Sequence, residues 1–451
     1  MVPVGSGSNP LAASTIEYTY LYPFASVVDT SRWNLAGTTI HDKHATFFQG
    51  GLQRPDLVSQ SLLVLNRIVR THFFDARPPQ RDPIVTSSPK LVRWEGFSGC
   101  CGVYARVDLD QRAFQDAEQT FGTTNVDFNS EMISQLSKVG RHDETRLSIS
   151  NEAVVLSTGE AEVVERKVPL PRRWIKGLSE VQAYQTKLRL RHTLHPVAVS
   201  RLLQSLGTVS RGIEHLTVRG SAVRLSRRQT PGSLTIGGAE RLKPLAPLLL
   251  QAREVGLWSD EDSGVFAVSI EMEVGRFWFV LSPAMHRGFS GEGQLLQTLT
   301  REHAVQIADE MYYLLGWQSE LHPAELAVQL GCRTEDAAAS LAILSTRGIA
   351  GFDAAAGYYF HRELPFRGVL AERDQPRLKS ARKLIDTGQA RIVSSTSDGH
   401  DIEVTGSTAT QFVRLRPDGD RCTCVWYTRH QGQRGPCKHI LAARILVDSP
   451  G

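Results

Sequence analysis

The 451-residue chain has little cysteine (six) and little methionine (five). No window approaches the roughly eighteen consecutive apolar residues that would cross a bilayer. Also missing are G-x-x-x-x-G-K-[ST], G-x-G-x-x-G after a strand, and G-x-S-x-G; the "GFSGEG" stretch from Gly288 to Gly293 has the wrong spacing for all three. The opening "MVPVGSGSNPLAAS" has neither a basic n-region nor an apolar h-region. These absences favour a soluble, cytoplasmic protein with no membrane association and no recognised catalytic motif. In a reducing compartment the cysteines are expected as buried thiols or metal ligands.

What is present is ordinary globular material: 41% hydrophobic and 22% charged residues exclude global disorder. The length suggests three or four folded units. Net charge is only +4, but it is unevenly spread. From Glu165 to Arg228 there are fourteen Lys/Arg against three acids, Glu165, Glu180 and Glu214. That asymmetry fits a phosphate-binding footprint, and equally a solvated surface offset by acidic neighbours.

Periodicity outlines the organisation. Residues 1–15 read as a flexible tail. "LVSQSLLVLNRIVRTHFF" has the apolar spacing of an amphipathic helix, and "PKLVRWEGFSGCCGVYARVDL" that of a strand pair around a Gly-rich turn. Within a body spanning 16–300, two segments repeat. Met132, Leu136 and Val139 match Leu202, Leu206 and Val209 on a helical period, and Leu147, Ile149, Val154 and Leu156 match Leu216, Val218, Val223 and Leu225 on a strand period. The copies, about 128–190 and 198–260, each read helix, strand, tight turn, strand, further helix. This pattern, without a diagnostic motif, is similar to the repeated halves of DNA sliding clamps.

Residues 302–366 read as three helices and a hairpin, the third helix capped by Thr334, and resemble a winged helix. The third helix opens with Glu335 and Asp336 and continues mostly in Ala, Ser and Leu. It therefore suits packing or protein contact better than reading of DNA bases. A connector, 367–388, leads to a terminal unit, 389–451, that begins with three short strands. The fold class expected is thus α+β and multidomain: a duplicated helix/strand body, a winged-helix-like unit and a small C-terminal finger.

The finger rests on "DRCTCVWYTRHQGQRGPCKHI". Cys422 and Cys424, two apart in an extended strand, present both sulfurs to one side. Cys437 and His439 would diverge inside a helix. Pro436 restricts the preceding residue and favours a helix beginning around Cys437, leaving that residue at the cap and His439 in the first turn. Three thiolates and one imidazole form a closed structural zinc set, one Zn²⁺ per chain. Arg421, Arg429, Arg434, Lys438 and Arg444 surround it with no acid up to Val447, which favours thiolates and would suit nucleic acid or an acidic partner. C-x-C-xn-C-x-H, with Cys-Lys-His-Ile-Leu-Ala after the proline and Trp426 two residues past Cys424, resembles the SWIM zinc finger. That resemblance covers the last fifty to sixty residues. It implies a zinc-bound ββα module for contact with DNA or protein, as in bacterial Swi/Snf-type helicase-like ATPases, plant Mutator-like transposases and a vertebrate signalling kinase. More loosely, the chain looks like bacterial SWIM proteins that work beside a MoxR-type AAA ATPase and a von Willebrand factor A-domain protein.

His41, Asp42 and His44 could ligate a metal but lack the H-E-x-x-H pattern. Adjacent Cys100 and Cys101 suit buried packing in a turn better than a strained disulfide. Cys332 reads as a packing residue, and His430 as solvent-exposed. With no catalytic residues assigned, an enzyme built on dispersed groups is the less favoured alternative.

Overall fold

The computed structural model describes residues 46–74, 83–170, 172–207, 212–364, 375–406 and 409–448, together with four two-residue strands nearer the start. Residues 1–45 and 46–451 are separate compact units. In the first, Tyr20–Leu21 pairs with Thr38–Thr39, and Val27–Val28 with Trp33–Asn34. The 1–15 tail and His41, Asp42 and His44 lie outside the described residues.

The second unit opens on strand Thr46–Leu52 and helix α1, Pro55–Arg70. Proline suits the first helical turn, where its missing N–H costs nothing. Leu57, Leu62, Leu65, Ile68 and Val69 are at most 3% exposed. Each contributes about 1.5–3 kcal/mol of gross burial, far more than the propensity of the helix itself. Three strands follow, Ile84–Ser88, Leu91–Phe97 and Val103–Asp110. Further along, helix α2 spans Ser130–Lys138, capped by Asn129, whose side chain accepts from Glu131 and Met132 N–H. Helix α3 is Arg172–Gln185 and α4 is Pro196–Ser205.

The repeat is present and is wider than its two recognised copies. Four units each run from a strand through a helical segment to a meander. The second unit is Gly122–Asn125, α2, then Thr145–Ser150, Ala153–Thr158 and Ala161–Arg166. The third is Arg189–Leu194, α4, then Ile213–Arg219 and Ala222–Ser226. Leu147 pairs with Leu156 and Ile149 with Val154, as Leu216 pairs with Leu225 and Val218 with Val223, so the matched apolar residues are cross-strand neighbours on one face. The first and fourth units supply most of an eight-stranded antiparallel sheet, joined where Val103–Asp110 pairs with Gly275–Leu281. The fourth unit's helical segment, Ala239–Leu250, is a 3₁₀ helix where an α-helix was expected. Pro244 and Pro247 lie inside it and cannot donate to an α-helical ladder. The helical segments pack side by side in the order α2, α1, Ala239–Leu250, α4.

Helices α5 (Glu302–Tyr312), α6 (Pro323–Leu330) and α7 (Thr334–Thr346) and the hairpin Ala350–Asp353 with Tyr358–His361 follow in the expected order. Thr334 is the first helical residue and makes no cap; Arg333 stands at the cap position and its guanidinium bonds Asp336 at 2.8 Å. Helix α7 is largely buried and packs against α3, α5 and α6.

The hairpin docks on the eight-stranded sheet through buried charges. Arg106 donates to Asp108 Oδ2 (2.8 Å) and to Phe352 O (3.1 Å), and Arg93 donates to Asp353 Oδ2 (2.8 Å). Arg362 bonds Glu95, whose other oxygen accepts from Tyr104 OH at 2.6 Å. The Arg93 guanidinium lies 4.1 Å from the centre of the Phe360 ring. All six charged groups are at most 4% exposed. Burial alone would raise the Asp353 carboxyl; Arg93 and Arg106 hold it well below the usual carboxylate range.

Helix α8 (Pro376–Asp386) lies within the expected connector, and strands Ala390–Thr396, Gly399–Thr405, Thr410–Leu415 and Arg421–Cys422 of the terminal unit pair in that order. Two helices end it, α9 (Val425–His430) and α10 (Lys438–Asp448).

Candidate metal centre and its anchorage

Cys422, Cys424, Cys437 and His439 are all buried, and their ligand atoms lie within 4.8 Å of one another. Tetrahedral arms of about 2.3 Å separate ligands by about 3.8 Å, and Cys422 Sγ lies 3.8 Å from His439 Nδ1. Cys437 precedes α10 and its sulfur accepts from Ile440 N–H at 3.4 Å, so the helix starts where Pro436 allows it. Cys424 differs from the expected strand residue. It is the N-cap of α9, a six-residue helix absent from the ββα expectation, and its Sγ accepts from Tyr427 N–H at 3.5 Å. Cys424 N–H in turn donates to Cys422 Sγ at 3.5 Å. N–H donors on sulfur favour thiolate over thiol.

The sulfurs already act on one another. Hydrogen bonds from Cys422 and Cys437 pull the Cys424 thiol far below its usual range, against the upward effect of burial. The bond between Cys422 and Cys424 pushes Cys422 far up. Three sulfurs and an imidazole within mutual reach are a donor set in which a bound cation would replace sulfur-bound protons. The residues fit zinc: soft donors, tetrahedral reach and no space left for water or substrate among four protein ligands.

The centre is fastened to the body by residues that the spacing did not reveal. Arg377 of α8 donates to three carbonyls, Glu292 O (2.8 Å), Arg434 O (2.8 Å) and Pro436 O (3.0 Å). Arg434 donates to Gly291 O at 3.0 Å. The guanidiniums of Arg377 and Arg434 lie 4.9 and 4.7 Å from the Trp426 ring centre, a cation–π arrangement. A β-carbon on Gly435, at φ +72°, would come 1.9 Å from Gly293 O. Glycine is needed there both for its backbone angle and for its lack of a side chain. On the body side Gln294 N–H donates to Glu180 at 2.8 Å, and burial raises that carboxyl to about 8. Glu292 is held by Arg287 and by Tyr184 OH. In the sequence, the Gly-rich "GFSGEG" and "GQRGPC" were the available signals of close chain approach.

The five basic candidates divide. Arg444 makes a two-bond contact with Asp420 and Arg434 is half-buried in the joint, so both are engaged internally. Arg421 is exposed, 3.5 Å from Asp418. Arg429 is exposed and Lys438 half-buried, and neither has an ion-pair partner among the described residues. His430 is half-buried, its ring 4.6 Å from that of Trp426, and stands outside the ligand set. Cys100 and Cys101 are buried and Cys332 half-buried, none of them in a disulfide.

Arg377→Ala is expected to weaken zinc retention about tenfold, as losses beyond the ligands commonly do. Chelator competition at fixed pH measures this. Unchanged retention would mean that the joint contributes nothing to the metal centre.

No protein-family model matches the chain, and no curated protein matches it. Among solved structures, 53% of the chain is similar to 99% of the proliferating cellular nuclear antigen of Entamoeba histolytica, at 11% identity and a TM-score of 0.38. A PCNA2–PCNA3 complex of Sulfolobus tokodaii gives 52% and 98% coverage, 12% identity and a TM-score of 0.39. No helix among the described residues is long and apolar enough to cross a membrane.

Proposed function

We propose that this chain is a zinc-binding, non-catalytic scaffold whose SWIM-type finger serves contact with nucleic acid or protein. The observation that carries this reading is the closed shell of four buried protein ligands. A catalytic zinc keeps a position for water or substrate, and a Cys₃His shell does not. The metal would hold α9, α10 and the intervening loop in shape and leave Arg429, Lys438 and Arg421 as the outward basic groups.

Residues 302–361 support the protein-partner side of the reading. We read them as a winged helix turned to packing: the helix that would enter a DNA groove, α7, is buried against α3, α5 and α6. A protein-adaptor role without DNA binding is the second reading that this favours; the AAA ATPase remains a partner implied by the sequence resemblance alone.

Fluorescence anisotropy with labelled duplex and single-stranded DNA, across a salt series, separates the two. Nucleic-acid contact predicts an affinity that falls steeply with salt, and Arg429→Glu with Lys438→Glu reduces the slope by roughly one per lost phosphate contact. Absence of binding at low salt removes the nucleic-acid reading and leaves the protein partner.

A further inference from the structure

The second and third repeat units differ by one strand. In the second, Ala161–Arg166 pairs along the whole of Ala153–Thr158 and packs under α2. Its inward residues sit opposite Leu156 (Val163) and Val154 (Glu165). In the third unit no strand among the described residues takes that place. After Ser226 the chain "RRQTPGS" turns, with Gly232 at φ +75°, and returns as Leu234–Gly237 on the far side of Ile213–Arg219. Strand Ala222–Ser226 is therefore an edge, and no described residue bonds its outer side.

The vacant position is a cleft of about 510 Å³ between α4 and that edge. Leu202, Leu206, Val223 and Leu225 are among its lining residues, and Val223 and Leu225 are half-buried where their counterparts Val154 and Leu156 are 1–2% exposed. Arg201 and Arg224 also line it, both exposed and without an ion-pair partner among the described residues. Arg219 pairs with Ala222 on the face that carries Arg224 and is likewise exposed. Glu214, buried, and Glu240, half-buried, also line the cleft.

We propose that an extended peptide segment of a partner protein, with apolar residues alternating with acidic ones, docks in this cleft as the missing strand. Backbone bonds to Ala222–Ser226 supply affinity without regard to sequence. Because successive side chains of a strand point to opposite faces, the apolar ones meet Val223, Leu225 and Leu202, and the acidic ones meet Arg224 and Arg219. Glu214 and Glu240 remain to accept from N–H or hydroxyl groups of the segment. This goes beyond the zinc reading and is independent of it, since the cleft belongs to the repeat body.

The test uses the full chain and a fluorescein-labelled hexapeptide alternating valine and glutamate. Controls are a valine/lysine version and a version of the same composition with the glutamates in one run. Saturable binding of the alternating acidic peptide is expected, at least tenfold weaker for both controls and for Arg224→Glu, which keeps its zinc. Hydrogen exchange of the Ala222–Ser226 amides should slow on binding. Equal binding of all three peptides, no binding, or binding without protection of Ala222–Ser226 would overturn the proposal. So would sedimentation showing a second copy of the chain seated on this edge in free protein.

Discussion

Wild-type protein purified without added metal is expected to carry about one zinc per chain by inductively coupled plasma mass spectrometry, and Cys424→Ser close to none. The serine removes the sulfur at the hub of the cluster. Cys424 accepts from Tyr427 N–H as the cap of α9 and lies within reach of Cys422, Cys437 and His439. A hydroxyl ligates zinc poorly, so three donors would remain where four closed the shell. Structural zinc contributes on the order of 10 kcal/mol to small isolated fingers. Here part of the unit has other support. Ile440 and Leu441 are at most 2% exposed, and α10 packs on α8 and on strand Thr410–Leu415. The loss should therefore be local, with faster hydrogen exchange over α9, the loop to Cys437 and the start of α10. The strands Leu91–Phe97 and Val103–Asp110 should keep their protection. Wild-type protein without metal, or a mutant that retains it, would refute the assignment.

Asp353→Ala should destabilise the docked hairpin by about 3–5 kcal/mol, more than truncation of almost any single surface contact. The alanine leaves Arg93 and Arg106, 4% and 1% exposed, with one carboxylate, Asp108, between them. The cost lies in two buried cations left to share a single carboxylate. It follows that Arg93→Met combined with Asp353→Leu should cost clearly less than the two single changes summed, since the double variant leaves Arg106 paired with Asp108. Urea titration, with hydrogen exchange over Ala350–His361, measures both quantities. Additive costs would show that the groups do not act as one network.

How much of this was legible in the sequence depends on distance along the chain. The four ligands fall within eighteen residues, so their spacing and one proline were enough to bring them together, although Cys424 stands at a helix cap where strand parity had put it in a strand. The middle repeat units were legible because each keeps both its helical and its strand period. The fourth was misread as α-helical, because its apolar residues keep a helical rhythm through Pro244 and Pro247 and the prolines decide the hydrogen bonding. Pairing of Val103–Asp110 with Gly275–Leu281 has no local signature, since each strand is buried and apolar enough to suit several partners. Arg377 and Glu292 were hidden for the same reason: a half-buried arginine donating hydrogen bonds to three carbonyls looks in sequence like any solvated one.

The charges beneath the hairpin also act as a lock on alignment. A slip of two residues along the strand would carry Asp353 about 6.6 Å, out of reach of Arg93, while Arg362 left Glu95. An apolar interface would tolerate that slip at little cost, because one branched side chain fills a gap much as another does. With three arginines and three carboxylates, the observed offset gives each arginine a carboxylate, so the network's consequence lies in which neighbours are admitted more than in how tightly they are held.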